Sequence, residues 1–453
     1  MTADPKTIFA AWALTDTGWQ PNLRIHMTGG IITALTPAAQ AEGGDMVAHA
    51  LLPGLCNVHS HAFQRGMAGL AERRGHPVDS FWTWREVMYR FAHTLSPDQM
   101  CTIAAQVYVE MLEAGFTRIG EFHYLHHDCD GAPYADRGEM AGQIAAAADQ
   151  TGINLTLLPV FYAHSDFGAA APSAGQRRFI NDLDGFHRLM ERARIHLAGH
   201  SGWRLGVAPH SLRAVSADEL QALCAVYTEG PFHIHAAEQL REVEDCKAFY
   251  GARPIEWLLH NTPVDARWCL IHATHLTDAE IRGLAACAAV AGLCPITESN
   301  LGDGIFPAAA YLKAGGRFGI GSDSNIQISA ETELRMLEYL QRVHLKQRAV
   351  LAAENGSTGR ALFDAAYAGG AQCLGDPGLG LAVGAPADMV ALGDALGLPA
   401  AGDTILDRWI FTDSMQVRDV WVAGQQVVQA GRHVGREAIA AAFARTVRAV
   451  MAS

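Results

Sequence analysis

Histidines occur in this chain at spacings that suit a metal ion, and a carboxylate accompanies one pair. The segment FHIHAAEQ places His233 and His235 two residues apart, with Glu238 three residues after the second histidine. The segment NVHSH contains another pair, His59 and His61. Imidazole nitrogens suit zinc, and a carboxylate can complete such a ligand set around a water molecule. These residue types favour hydrolysis by a metal-activated water.

The elements that must position these residues recur along most of the chain. Short apolar segments alternate with longer segments of helical pattern, such as SPDQMCTIAAQVYVEMLEAG, where Ser96 can cap the start of a helix. The apolar segments lie at residues 54–63, 117–125, 154–163, 203–212, 232–238, 268–276, 289–298 and 317–325. A strand followed by a helix, repeated eight times with buried strands, predicts an α/β fold of the (β/α)8 barrel type.

Both ends of the chain have a strand-rich pattern instead. The runs NLRIHMT and IITALT flank Gly29-Gly30 as a hairpin would, and MVAHALLPG follows them. Strand patterns return in ADMVALG and VRDVWVAGQQVVQAG. We therefore predict a barrel over residues 53–375, with a small β-sandwich domain and a C-terminal helix formed by residues 1–52 and 376–453.

In such a barrel the catalytic groups lie at the carboxyl ends of the strands. His59 and His61 end the first strand, His235 lies on the fifth, and Asp323 follows the eighth. Alternate residues of a strand share a face, so the two histidines of the first strand point the same way. An unpaired polar group in a barrel interior costs a few kcal/mol, so several at one end need a common cause. We predict that these four residues bind one metal ion.

Most of the 21 histidines are not expected to be ligands, because a single strand histidine is more often a hydrogen-bonded core group. His233 shares a face with His235 but lies deeper, so we assign it to support or packing. The histidines that we leave as structural are His26, His49, His187 and His275.

Composition limits the possible partners and compartment. The net charge of −13 argues against nucleic acid or an anionic membrane as main partners, since both need a basic surface. The nine cysteines form no C-x-x-C pair and are odd in number, as expected of reduced thiols in a cytoplasmic protein. The N-terminus shows no signal-peptide pattern, and the run LAACAAVAGLCPI is too short to cross a bilayer.

The chain resembles the amidohydrolase superfamily over almost its whole length. The matching features are H-S-H after the first strand, His235, His272, Asp323 and the late segment GLAVGAPADMVAL. H-A-A-E after the fifth strand is similar to the deaminase branch, which uses one metal ion. The two-metal branch carries a bridging lysine near the fourth strand, and LPVFYAHSD and VAPHSLRA contain none.

Longer segments resemble the formimidoylglutamate deiminase family. These segments are HAFQRGMAGLAE, FWTWREVMYRF, GEFHYLHH, APHSLRAV, HIHAAEQLREVEDC and CPITESNLGDGIFP. The resemblance implies hydrolytic deimination of N-formimino-L-glutamate to N-formyl-L-glutamate and ammonia in histidine degradation. It also implies one Zn²⁺ per chain, with iron as an alternative, and a homodimer.

The resemblance implies roles for residues of this chain. Asp323 would take a proton from the attacking water as well as bind the metal, Glu238 would transfer a proton to the leaving nitrogen, and His272 would hold or polarise the attacked group. The substrate has two carboxylates, for which Arg is the best-matched partner. The residues implied to bind them are Gln64, Arg85, Tyr124, His210 and Arg213. Trp82 and Trp84 are interpreted as lid or dimer packing, and Arg65 and Arg90 as solvated or structural.

Three other hypotheses stay open. A deaminase of guanine, cytosine or an adenosine derivative would keep the chemistry but has less use for two arginines. A barrel that has lost activity and acts as an interaction protein would be expected to lack Glu238 or Asp323, and both are present. A two-metal amidase of the dihydropyrimidinase type is disfavoured by the missing lysine.

Overall fold

The structure is a computed structural model, and it describes residues 6–72, 81–412 and 414–452. The strands are β1 Lys6–Thr15, β2 Gly18–Thr28, β3 Ile31–Thr36, β4 Met46–Pro53, β5 Leu55–Ser60, β6 Phe116–His123, β7 Asn154–Phe161, β8 Arg204–Leu205, β9 Ala208–Pro209, β10 Phe232–Ala236, β11 Trp268–His272, β12 Val290–Leu293, β13 Arg317–Ile320, β14 Met389–Asp394, β15 Met415–Val422, β16 Gln425–Gln429 and β17 Arg432–His433.

The helices follow the same chain order. They are α1 Phe81–Ala92, α2 Pro97–Glu113, α3 Glu139–Thr151, α4 Leu183–His196, α5 Ala217–Val226, α6 Leu240–Tyr250, α7 Pro254–Asn261, α8 Asp278–Ala286, α9 Pro295–Leu301, α10 Ala308–Lys313, α11 Ala330–Leu345, α12 Thr358–Cys373, α13 Thr404–Phe411 and α14 Arg436–Ala452. Ser96 caps α2 as predicted, since its hydroxyl accepts a hydrogen bond from the backbone N–H of Gln99. No helix of the described residues is long and apolar enough to cross a membrane.

The middle of the chain forms the predicted barrel. Strands β5 to β13 belong to one sheet in the order β10-β11-β12-β13-β5-β6-β7-β8, and β9 pairs with β7. Two isolated parallel bridges, Val207 to Phe232 and Ser211 to His235, connect the two ends of this order and close the ring. All eight predicted barrel strands are present, and the prediction of a (β/α)8 barrel is confirmed.

The fourth barrel strand is shorter than the predicted segment 203–212. It consists of β8 and β9, two residues each. Pro209 has no N–H for a ladder hydrogen bond, and a Cβ atom on Gly206 would lie 2.6 Å from the carbonyl oxygen of Pro231. The backbone still follows β7, because Gly206 N–H donates to Leu157 and His210 N–H donates to Phe161.

A second sheet contains strands from both ends of the chain. Its order is β17-β16-β15-β14-β4-β1-β2-β3, so β4 lies between β1, to which it is parallel, and β14, to which it is antiparallel. The predicted hairpin is β2 and β3, and both glycines of its turn have positive φ angles, 61° and 84°. The predicted bounds at residues 52 and 376 stay predictions, and residues 1–5, 413 and 453 of that predicted domain lie outside the described residues.

The two sheets join through a single residue. Gly54 separates β4 from β5, and a Cβ atom on it would lie 2.1 Å from the side chain of Thr117. Only glycine allows the chain to pass this close to β6. The strand that carries His59 therefore begins directly where the terminal sheet ends.

Candidate metal centre and active-site cavity

The first and last barrel strands carry three of the predicted metal ligands. His59 lies on β5, His61 follows that strand, and Asp323 follows β13. Asp323 N–H donates to the carbonyl oxygen of His59 at 2.9 Å, and His61 N–H donates to that of Asp323 at 3.0 Å. Asn325 supports the same junction, because its side-chain amide donates to the hydroxyl of Ser60 and to the carbonyl oxygen of His61. The backbone thus fixes the relative positions of these three side chains.

Sharp turns at the strand ends direct the side chains inward. Ala237, His272, Ala273 and Asp323 all have φ between 44° and 67°, a region that non-glycine residues rarely adopt. Each follows or ends a barrel strand at its carboxyl end. Backbone strain of this kind costs on the order of 1–3 kcal/mol per residue and is most often found at functional sites.

The four predicted ligands meet in one buried cluster. One oxygen of Asp323 lies 3.5 Å from Nε2 of His59 and 3.4 Å from Nε2 of His61. Nε2 of His235 lies 3.1 Å from Nε2 of His59. Ligand atoms of His59, His61 and Asp323 lie within 4.8 Å of one another, and so do those of His59, His235 and His272.

The proton positions in this cluster fit a cation. Nδ1 of His61 donates to the carbonyl oxygen of Phe122, and Nδ1 of His235 donates to that of His210, so each neutral ring turns an unprotonated Nε2 towards the cluster. Burial lowers the pKa of His59 to about 3 and also lowers the pKa values of His61 and His235. Two unprotonated nitrogens beside a carboxylate fit a cation, and the donor set suits zinc.

Glu238 and His272 lie beside this cluster and form a pair. Nε2 of His272 is 3.7 Å from a carboxylate oxygen of Glu238 and 3.8 Å from Asp323, while its Nδ1 is 3.3 Å from Glu298. Burial raises the pKa of Glu238 to about 7. Burial alone would lower the pKa of His272, but attraction to Glu238 and the hydrogen bond with Glu298 outweigh it and raise that pKa to about 10. A carboxyl group with a pKa near 7 can both accept and donate a proton at neutral pH.

A cavity lies over this cluster. Its lining includes all five residues predicted to bind substrate carboxylates, together with Glu238, His272 and three of the four predicted metal ligands. His59 is fully buried and is not part of the lining. The complete lining is His61, Gln64, Trp84, Arg85, Met88, Tyr89, Tyr124, Tyr162, Phe179, His210, Arg213, His235, Glu238, His272, Leu301 and Asp323.

Two arginines give the cavity a positive region. Arg213 is 6% exposed, and its Nε has no hydrogen-bond partner among the described residues. The guanidinium of Arg85 lies 4.6 Å from the ring centre of Trp82, and that of Arg213 lies 5.8 Å from the same ring. Among the described residues, no ion pair within 4 Å joins either arginine to a carboxylate. Both guanidinium groups are therefore available to an anionic ligand.

The remaining predicted binding residues form a polar wall. The side-chain amide of Gln64 donates to the hydroxyl of Tyr124 at 2.9 Å, and its side-chain carbonyl oxygen has no partner in the part of the chain that the structure describes. Nδ1 of His210 lies 3.0 Å from the hydroxyl of Ser211. Burial lowers the pKa of His210 well below its usual value, and nearby Arg213 lowers it further. His210 is therefore neutral, and its ring can donate a hydrogen bond without a second buried charge.

Several residues that line the cavity were not predicted from the sequence to do so. Trp84, interpreted as lid or dimer packing, lines the cavity together with Met88 and Tyr89 from the same helix, α1. Met88 and Tyr89 lie three and four residues after Arg85. Residues at these spacings share a helix face, so the sequence did contain a signal for both. Tyr162 comes directly after β7, so its position at a strand end was a usable signal.

The structural histidine assigned to the fifth strand lies apart from the cavity. His233 is fully buried, and its Nε2 donates to the carbonyl oxygen of Cys373 at 2.9 Å. Arg65, left as solvated or structural, donates to the carbonyl oxygens of Asn325 and Ile326. It therefore braces the backbone next to Asp323 from outside the cavity.

Comparison with known families agrees with this architecture. The sequence profile of the Amidohydrolase family matches residues 50–427, which is most of the chain. The chain therefore belongs to the amidohydrolase family. A second profile, "Formimidoylglutamate deiminase HutF, N-terminal domain", matches residues 5–48, and the predicted resemblance to the formimidoylglutamate deiminases is confirmed.

Individual relatives cover nearly the whole chain. A formimidoylglutamate deiminase of Pseudomonas aeruginosa is 51% identical over 97% of this chain and 98% of its own length. The crystal structure of an amidohydrolase from Brucella melitensis is 54% identical, with a TM-score of 0.97 over 98% of this chain and 100% of that one. An adenosine deaminase from Xanthomonas campestris, with bound zinc, is 22% identical with a TM-score of 0.81 over 99% and 98% of the two chains, which supports the fold alone.

Proposed function

We propose that the protein is a hydrolase of histidine degradation that converts N-formimino-L-glutamate to N-formyl-L-glutamate and ammonia. The observation that carries the proposal is one cavity that combines a buried histidine–carboxylate cluster with two arginines, neither of which forms an ion pair with a carboxylate of the described residues. The relative from Pseudomonas aeruginosa bears the name of this activity. A dicarboxylate with a linear amidine needs both parts of the cavity at once.

We propose one zinc ion per chain, held by His59, His61, His235 and Asp323, with iron as the alternative. Amidohydrolases are generally metal-dependent, and the orientation of the unprotonated histidine nitrogens described above supports this ligand set. When bound, the ion supplies a Lewis acid that makes a water molecule acidic enough to lose a proton at neutral pH.

The chain's own residues then move the protons. Asp323 accepts a proton from the attacking water, whose oxygen forms a bond to the amidine carbon. Glu238, which the pKa of about 7 leaves partly protonated, donates a proton to the amidine nitrogen. His272 donates a hydrogen bond to the attacked group. Asp323 passes the proton taken from water to the same nitrogen, the C–N bond to that nitrogen breaks, and ammonia leaves. The remaining hydroxyl proton returns to Glu238, and the carbon keeps the new oxygen as a formyl group.

The two substrate carboxylates are proposed to bind at the other end of the cavity. Arg85 and Arg213 supply positive charge, and Gln64, Tyr124 and His210 supply hydrogen-bond donors. Charge-assisted hydrogen bonds of this type contribute about 1.5–3 kcal/mol each. Binding there places the formimino group over Glu238 and Asp323.

Steady-state ammonia release by the purified, metal-loaded protein tests this function. We expect turnover of N-formimino-L-glutamate and no release from guanine, cytosine or adenosine at the same concentrations. Metal analysis should give one ion per chain. Turnover of a nucleobase or nucleoside, but not of the amidine, would replace the proposal with the deaminase alternative.

The setting of the enzyme is part of the same proposal. We place it in the cytoplasm, as a homodimer, with a small molecule rather than nucleic acid or membrane as its partner. Light scattering of the purified protein, coupled to size-exclusion chromatography, would measure a mass of two chains if this is correct.

A further inference from the structure

Glu242 is a buried acid beside the cavity to which the proposed mechanism assigns no role. It lies in the first turn of α6 and is 1% exposed. Its two carboxylate oxygens accept hydrogen bonds from the backbone N–H groups of Ala237 and Glu238, each at 3.1 Å. One side chain therefore holds two successive peptide groups immediately after β10.

These two peptide groups determine where Glu238 points. Ala237 has a φ of 55°, so the chain turns sharply between His235 and Glu238. A non-glycine residue holds that conformation only where its surroundings enforce it. The paired hydrogen bonds from Glu242 supply that enforcement, because they capture the N–H groups on both sides of the turn.

The same hydrogen-bonding device occurs at Glu338, which does not line the cavity. Glu338 is fully buried on α11 and accepts hydrogen bonds from the N–H groups of Val350 and Leu351, at 2.8 and 3.0 Å. It also pairs with an arginine, Arg342. Substitution of Glu338 therefore removes the same kind of backbone hydrogen bonds without touching a residue that lines the cavity, which makes it a matched control.

We propose that Glu242 is a positioning residue that orients Glu238 through the backbone. The inference deepens the proposed function and rests on it for the choice of substrate.

Kinetics of Glu242→Gln, Glu242→Asp and Glu338→Gln test the proposal. The glutamine keeps one acceptor oxygen but loses the charge, and a misplaced catalytic group of this kind costs about 10–100-fold in kcat. We expect that loss in Glu242→Gln, with KM near the parent value. Glu242→Asp keeps the charge but is too short to reach both N–H groups, so its kcat should be low as well.

Glu338→Gln should lower the melting temperature as much as Glu242→Gln does, yet leave kcat and KM within about twofold. All variants should bind as much metal as the parent. The proposal is overturned if Glu242→Gln keeps parental kinetics, or if the two glutamine variants lose activity equally.

Hydrogen exchange, which needs no substrate, tests the role of Glu242 independently of the proposed function. Hydrogen exchange of a peptide that covers residues 236–241 should become faster in Glu242→Gln and stay unchanged in Glu338→Gln. Unchanged exchange in Glu242→Gln would refute the positioning role. If the parent releases no ammonia from N-formimino-L-glutamate, the proposed function fails, while the exchange comparison still decides the role of Glu242.

Discussion

The two ends of the cavity are built differently. The histidine–carboxylate end takes its side chains from β5, β10, β11 and the turn after β13, and backbone hydrogen bonds fix its geometry. At the arginine end, Arg85 comes from helix α1 and Arg213 from the loop after β9. Groups on the strands of a scaffold are placed more precisely than groups on a loop. The chemistry is therefore held by the barrel strands, whereas the two arginines that select the substrate lie on a helix and on a loop.

This difference predicts that substitutions at the two ends change different kinetic constants. The largest change is expected in kcat, at the histidine–carboxylate end. Glu238→Gln keeps the size of the side chain but cannot donate or accept the required proton. We expect kcat to fall about 10²–10⁴-fold, the usual contribution of general acid–base catalysis, with little change in KM. Steady-state ammonia assays and metal analysis would measure both. A parental kcat would show that Glu238 does not transfer the proton. Loss of the metal would show that the substitution also disturbs the metal ligands.

A smaller effect, on KM rather than on kcat, is expected at the arginine end. Arg213→Met preserves most of the side-chain volume and removes the charge. Loss of one or two charge-assisted hydrogen bonds at about 1.5–3 kcal/mol each predicts a fall of at least ~10-fold in kcat/KM, chiefly through KM. Arg90→Met, at a residue assigned no role in binding, is the matched control. Parental KM in Arg213→Met would remove Arg213 from substrate recognition.

The same contrast decides what the sequence could predict. The eight barrel strands and the positions of His59, His61, His235 and Asp323 follow from a period-two pattern and from the rule that strand ends carry the site. The lining residues of α1 depend on how that helix rotates against the barrel, which its own sequence does not determine. Glu242 was missed because its role depends on backbone N–H groups, which no side-chain pattern reveals.

The third predicted effect is on stability and concerns support beneath the histidine–carboxylate end. Glu121 on β6 accepts a hydrogen bond from Ala62 N–H at 2.8 Å, and burial raises its pKa from 4.5 to about 8. The folded protein therefore retains a proton that the unfolded chain releases between these pH values, so the free energy of unfolding should decrease as pH rises from about 5 to 8.

Glu121→Gln cannot titrate and should show a weaker decrease over the same range. Denaturant unfolding of metal-loaded parent and variant at pH 6 and pH 8 would measure it. Equal slopes in the two proteins would mean that Glu121 is already ionised in the folded state, and the arginine end should be unaffected in either case.

The position of β4 has a consequence for synthesis of the chain. β4 pairs on one side with β1, made earlier, and on the other with β14, which leaves the ribosome about 340 residues later. At ~5–20 residues per second this interval lasts on the order of 20–70 s. During that time the nascent N-terminal hairpins present an unpaired strand edge, the kind of edge that recruits foreign strands. Chaperone binding to the nascent chain would therefore protect it most during this interval.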